Sequence, residues 1–150
     1  VTSRCKKKEP AARPNARTRK PPLPPPGRWE AWVPEWTPTS VNVIVGQVHH
    51  GTRCKKKDRE YISLFTGHIR PADRQRMLHV VYSYPKGRIG IDLSNGLKSI
   101  EDALVKLDVL RNDSRKWLNW ISATSVEGPL GTKLIVADRG WAGPFFEMDW

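Results

Sequence analysis

Proline governs the first fifth of this chain. Seven of the 13 prolines stand at positions 10, 14, 21, 22, 24, 25 and 26, and Gly27 follows them. Proline has no amide donor and a fixed φ, so neither a helix interior nor a central strand can run through such spacing. Large apolar side chains are nearly absent from residues 1–27. Burial there cannot offset the entropy of ordering the backbone. The run from Lys20 to Pro26 reads as polyproline II, a stiff and extended spacer. An arm followed by a Trp-rich junction therefore occupies residues 1–40, and folding falls to a compact domain over 41–150.

The charge is as uneven as the proline. The net charge is +11. Residues 1–76 hold 17 Lys/Arg against six Asp/Glu, whereas residues 77–150 hold nine of each. A surface charged only for solubility interleaves its signs along the whole chain; a one-sided excess points to a polyanionic partner. Three basic groups stand out. The first is Arg4, Lys6, Lys7, Lys8, Arg13, Arg17, Arg19 and Lys20 in the arm. The second is Arg53, Lys55, Lys56, Lys57 and Arg59, on a segment that composition reads as a loop. The third is Arg70, Arg74 and Arg76. Flexible cations between proline spacers can follow a phosphate backbone and gain from counterion release. Arginine adds stacking and bidentate contacts suited to folded RNA. Such contacts tolerate any base sequence.

Trp29, Trp32 and Trp36 mark the junction at i, i+3 and i+7. That spacing suggests a helical face, but Pro34 interrupts it. A turn or a short helical piece is expected. These rings either stack on bases or fill a partner's groove, or they pack back onto the domain as a clasp. They are taken as partner-contact residues.

Within the domain, residues 41–48 (VNVIVGQV) read as a strand by their β-branched content, and Tyr61 to Phe65 as a second possible strand. Pro71 can open a short helix over 71–77. Leu78, Val80, Tyr82 and Tyr84 alternate with smaller or polar neighbours, then Pro85-Lys86-Gly87 supplies a turn, and Ile89, Ile91 and Leu93 alternate again. Two period-two runs across such a turn predict a hairpin. Ser99 is a candidate N-cap for a helix carrying Ile100, Ala103, Leu104, Leu107 and Leu110 on one stripe. Asp102 and Lys106 form an i, i+4 pair on it. A second helix is expected over 114–123, burying Trp117, Leu118 and Ile121, and a last strand over 133–137. The fold class is α+β: a small mixed, mostly antiparallel sheet with two consecutive helices on one face, plus the arm.

No constellation for catalysis appears. His49, His50, Cys54 and His68 offer zinc-type atoms, but adjacent histidines on a strand point apart and no second cysteine pair exists. There is no nucleophile elbow and no Gly-rich phosphate loop. Gly87-Arg88-Ile89-Gly90 matches the GXXG of KH domains, where the loop joins helices; here both flanks alternate as strands. Glu101 and Asp102 fit the first turn of a helix, where acids favour the dipole. No enzyme activity, metal, cofactor or small-molecule substrate is expected. Two cysteines, each in an Arg-Cys-Lys-Lys-Lys setting, make no disulfide framework and suit a reducing compartment. No run approaches the ~20 apolar residues of a membrane span.

A neutral compact domain with an extended basic arm resembles ribosomal proteins in general style. The expectation is a structural RNA-binding protein of a ribonucleoprotein, contacting rRNA phosphates and neighbouring protein subunits. The start at Val1 suits a processed terminus, and with the many tryptophans it favours an organellar, mitochondrial ribosome. Two other readings stand beside it. One is a peripheral subunit of a mitochondrial membrane complex; the other is an adaptor offering Pro22-Leu23-Pro24-Pro25 to aromatic-lined grooves.

Overall fold

The structure is a computed structural model that describes residues 20–38, 48–88, 90 and 92–146. Its elements are β1 (Arg28–Pro34), helix α1 (Val48–Thr66), β2 (Arg76–Tyr84), helix α2 (Leu93–Lys106), β3 (Leu118–Glu127) and β4 (Gly131–Asp138). The strands form one mixed sheet in the order β1-β4-β2-β3. β4 runs antiparallel to both β1 and β2, and β2 runs parallel to β3. This is the α+β class read from the sequence, with two helices and a mostly antiparallel sheet.

One sheet face is covered by both helices; the other is open except where Phe146 stacks on His79. Ala31, Val33, Leu78, Val80, Tyr82, Leu134 and Val136 point to the covered side, where Ile62 of α1 and Ile100, Ala103 and Leu104 of α2 meet them. Val109 and Leu110 close the core after α2. Asp58 of α1, buried, ties three parts together: it accepts from Trp36 Nε1 at 3.1 Å and from Ser99 Oγ of α2 at 3.0 Å. Tyr61 Oη donates to Pro34 O at 2.8 Å and fixes α1 to the end of β1.

Several local expectations are corrected. Residues 28–34, placed with the arm's junction, are strand β1, because pairing with β4 holds them extended and Ala31 and Val33 go into the core. Residues 49–60 are helical and not a loop, and Tyr61 to Phe65 continues that helix. The buried positions Asp58, Ile62 and Thr66 repeat every four residues, a helical stripe with an acid in it. No helix opens at Pro71; the chain bends there and enters β2. β2 exists as expected, but its neighbours are β4 and β3, not a hairpin partner. Ile89 and Ile91 of the expected second arm, and residues 41–47 of the expected first strand, lie outside the described residues. α2 starts earlier than Ser99: Asp92 caps it, accepting from Ser94 N at 2.9 Å. In place of the second helix over 114–123, a turn at 114–117 leads into β3. Trp120, Ile121, Thr124 and Val126 are strand formers, and the apparent helical spacing of Trp117, Leu118 and Ile121 came from an edge exposed on both faces. The two helices are thus separated by β2, and α2 makes the crossover between parallel β2 and β3.

Candidate nucleic-acid interface

The basic run of α1 is displayed by helical geometry. With 100° between residues, positions 53, 56, 57 and 60 share the outward face. Arg53, Lys56, Lys57 and Glu60 are exposed accordingly, while Asp58 and Ile62 turn inward. Lys56 reaches Glu60 at 3.9 Å, a loose i, i+4 contact between exposed groups. Among the described residues, Arg53, Lys57 and Arg59 form no ion pair. Lys55 and Arg59 stand on the flank turned toward α2.

That flank borders a cleft of about 270 Å³ between the helices, lined by Lys55, Arg59, Asp102, Lys106, Asn112 and Asp113. Lys55 Nζ donates to Asp102 Oδ2 at 3.1 Å. Lys98 Nζ lies 2.9 Å from Asp113 Oδ2 and 3.1 Å from Asp102 Oδ1. Its hydrogen bonds to Asp113 first, then to Asp102, raise the ammonium's pKa, and the same Lys98 contact lowers that of Asp113. Burial raises the pKa of neighbouring Glu101. The sequence spacing suggested an Asp102–Lys106 pair; Lys98, four residues before Asp102, takes that place and leaves Lys106 on the cleft wall. Lys55 and Lys98 therefore balance Asp102 and Asp113, and Arg59 and Lys106 add two further cations at the rim.

The third basic group does structural work. Arg76 is fully buried and donates from Nε to Asp138 Oδ1 at 2.8 Å and from Nη1 to Val109 O at 2.6 Å. Arg70 Nη2 donates to Asp138 Oδ2 at 2.5 Å and to Pro25 O at 3.2 Å. Arg74 bonds Asp73 and the carbonyl of Pro24. Arg76 has no surface to offer a phosphate, which corrects its place in the interface; Arg70 and Arg74 keep part of their side chains exposed while engaging Asp138, Asp73 and the prolines. The same contacts, with Gly27 N donating to Asp138 Oδ2 at 3.0 Å, dock the proline segment onto the domain. Lys20, exposed, marks where the described arm ends. Arg4, Lys6, Lys7, Lys8, Arg13, Arg17 and Arg19 lie outside the described residues.

Two of the three junction tryptophans pack inward as a clasp. The Trp29 ring lies under Arg76 and Arg70, at 4.7 Å and 5.2 Å from their guanidinium carbons. Trp36 is held by Asp58. Trp32, 41% exposed, alone of the three keeps a free face on the open side of the sheet. That side holds a broad concavity lined by Trp32, His79, Val81, Ile135, Trp141 and Phe146. Its charges are internally matched: Arg28 and Lys133 contact Glu30 at 2.6 Å and 3.2 Å. Burial, the largest influence on Glu30, favours the acid form, but those two cations together hold its pKa down.

Compared with known proteins, the chain matches no family model and no curated protein. Among the described residues, no three His, Cys, Asp or Glu side chains converge to hold a metal ion. Among the same residues, no helix is long and apolar enough to cross a membrane.

Proposed function

We propose that the chain binds the phosphate backbone of a nucleic acid, with RNA in a ribonucleoprotein as its polymer, and that the arm and the outer face of α1 carry the contact. The observation behind this is the outward placement of Arg53, Lys56 and Lys57 on one helix face, beside a cleft rimmed by Lys55, Arg59 and Lys106. The arm adds eight Lys/Arg against one acid over residues 1–27. A ribosome, in an organelle, is the particle that suits an arm of this composition best. The adaptor reading is weakened, because Pro24 and Pro25 already give their carbonyls to Arg74 and Arg70.

Filter binding of the full chain to unrelated RNAs, across a salt series, tests this. Affinity should fall steeply with salt, and replacing Lys6, Lys7, Lys8, Arg17, Arg19 and Lys20 by glutamine should flatten the slope by roughly 0.7–0.9 for each phosphate no longer neutralised. Affinity should drop equally for unrelated sequences. Affinity that ignores both salt and these substitutions refutes the proposal. Duplex DNA run in parallel shows whether the 2′-hydroxyl matters.

A further inference from the structure

The sheet has two edges, and they differ in how they are protected. β1, at one edge, is seven residues long and carries Arg28, Glu30 and a terminal Pro34. Charges and proline are the usual guards against edge-to-edge pairing. β3, at the other edge, is ten residues long and has neither charge nor proline from Leu118 to Val126. Its one irregularity against β2 is at the start, where Asn119 is skipped between Leu118 and Trp120; from Trp120 to Glu127 it follows Met77 to Tyr84 without a register shift, so that stretch is not twisted away by a bulge. Its large apolar side chains stand in solvent: Trp120 is 51% exposed, Ile121 37% and Val126 46%. Such a strand presents a row of unpaired backbone groups flanked by apolar surface.

The pattern along β3 selects the partner. Trp120, Ser122, Thr124 and Val126 share the open side of the sheet, in register with Met77, His79, Val81 and Ser83 of β2. Ile121, Ala123 and Ser125 share the helix side. An added strand must keep each residue on its own side, since a shift by one residue would invert every side chain. Just before β3 come Arg115 and Lys116, both exposed, and its last residue is the exposed Glu127. The strand is thus basic where it begins, apolar and uncharged along its length, and acidic where it ends. An antiparallel copy of the same strand brings the acidic end of each toward the basic start of the other, whereas a parallel copy would set like against like.

We propose that β3 is a dimerisation edge, through which two copies of the chain pair antiparallel about a two-fold axis at Ala123 to form one continuous eight-stranded sheet. In that register Trp120 of each copy lies opposite Val126 of the other, Ser122 opposite Thr124, and Ile121 opposite Ser125. The two exposed apolar side chains on the open side of the strand then cover each other twice, and cross-strand pairs of aromatic and β-branched residues are favourable. The interface is isologous, with the same surface on both copies. Two paired strands sit near the lower bound of about 1,000 Å² for a specific interface, so the dimer is reversible on dilution.

Sedimentation velocity of the nuclease-treated full chain over a concentration series is the test. The expected result is a shift from one to two chains as concentration rises. Trp120→Lys with Val126→Lys, both at exposed positions, should keep the cooperative melt and sediment as one chain throughout. Trp120→Cys with Val126→Cys, made in a Cys5→Ser, Cys54→Ser background, should cross-link two copies on mild oxidation. Within one strand the two positions are about 20 Å apart and cannot bridge each other. A single chain at every concentration overturns the proposal, and so does a dimer that survives the lysine substitutions. If the lysine variant loses its melt, the double-cysteine form decides: no cross-linked dimer means no pairing in this register.

Discussion

At the scale of single residues, Asp138 does the most. It is fully buried and receives Arg76, Arg70 and the amide of Gly27, joining β4, β2 and the docked proline segment. Breaking a buried pair from one side leaves the other charge without compensation, at about 3–5 kcal/mol. Arg76→Ala should therefore cost about that much in urea denaturation, with little change in the dependence on denaturant concentration. Replacing both partners, as Arg76→Met with Asp138→Leu, should recover part of the stability, because no lone buried charge remains. His79 offers a pH prediction. It is 2% exposed, its ring stacked 3.8 Å from Phe146 and its nitrogens 2.6 Å and 3.2 Å from the hydroxyls of Ser122 and Thr124. Burial lowers its pKa below the ordinary 6.5. The unfolded chain then binds a proton that the folded chain refuses, so stability falls as pH drops from 6.5 toward the depressed folded value. Chemical denaturation at a series of pH values should show that decline, and His79→Gln should flatten it above the carboxylate range.

At the scale of elements, legibility followed burial. β2 and β4 are central, and their apolar content was plain in the sequence: Leu78, Val80, Tyr82, and the run from Leu134 to Ala137. α2 was visible through Ile100, Ala103 and Leu104, which form a stripe facing the sheet. What escaped was the periphery. β3 is an exposed edge without clean alternation, and Trp117, Leu118 and Ile121 imitate a helical stripe. β1 hid behind Pro34, which ends the strand and does not interrupt it. α1 hid behind its charge, because its buried stripe includes Asp58, whose partners Trp36 and Ser99 are distant in sequence. The candidate interface was half legible: the cations were evident, but only the helix sorts Arg53, Lys56 and Lys57 outward, and only tertiary packing withdraws Arg76. The rim residue Lys106 and the bridging Lys98 carried no signal beyond helix-surface charge. Replacing Arg53, Lys56 and Lys57 together by glutamine should reduce the salt slope of RNA binding by roughly 0.7–0.9 for each phosphate those cations neutralise. Thermal stability should hardly move, since exposed charges contribute little to folding. A steep slope that persists would confine the RNA-binding surface to the arm.

At the scale of the whole molecule, arm and domain part at a different place from where composition alone would cut. Composition separates residues 1–40 from the rest, yet the sheet claims Arg28–Pro34 as β1, with Val33 fully buried and Ala31 nearly so. Trp29 roofs the Arg76–Asp138 pair, Trp36 holds Asp58, and the segment from Pro24 to Gly27 is bonded to Arg74, Arg70 and Asp138. Removing residues 1–19 touches none of these contacts and removes most of the arm's cations. That truncation should melt cooperatively, near the temperature of the full chain, while losing most of its RNA affinity at moderate salt. Removing residues 1–40 strips a seven-residue ladder from β4, exposes Leu134 and Val136, and leaves Asp138 with fewer donors. Burying one Val side chain is worth about 1.5–3 kcal/mol. Loss of the ladder, the Val33 and Ala31 packing and both tryptophan anchors together reaches the roughly 5–15 kcal/mol that keeps a domain folded. The longer truncation should therefore show no cooperative melt by circular dichroism and should aggregate through the bared edge of β4. A cooperative melt after removal of residues 1–40 would mean that β1 is an accessory to the sheet and that the core of β2, β4 and the two helices is sufficient by itself.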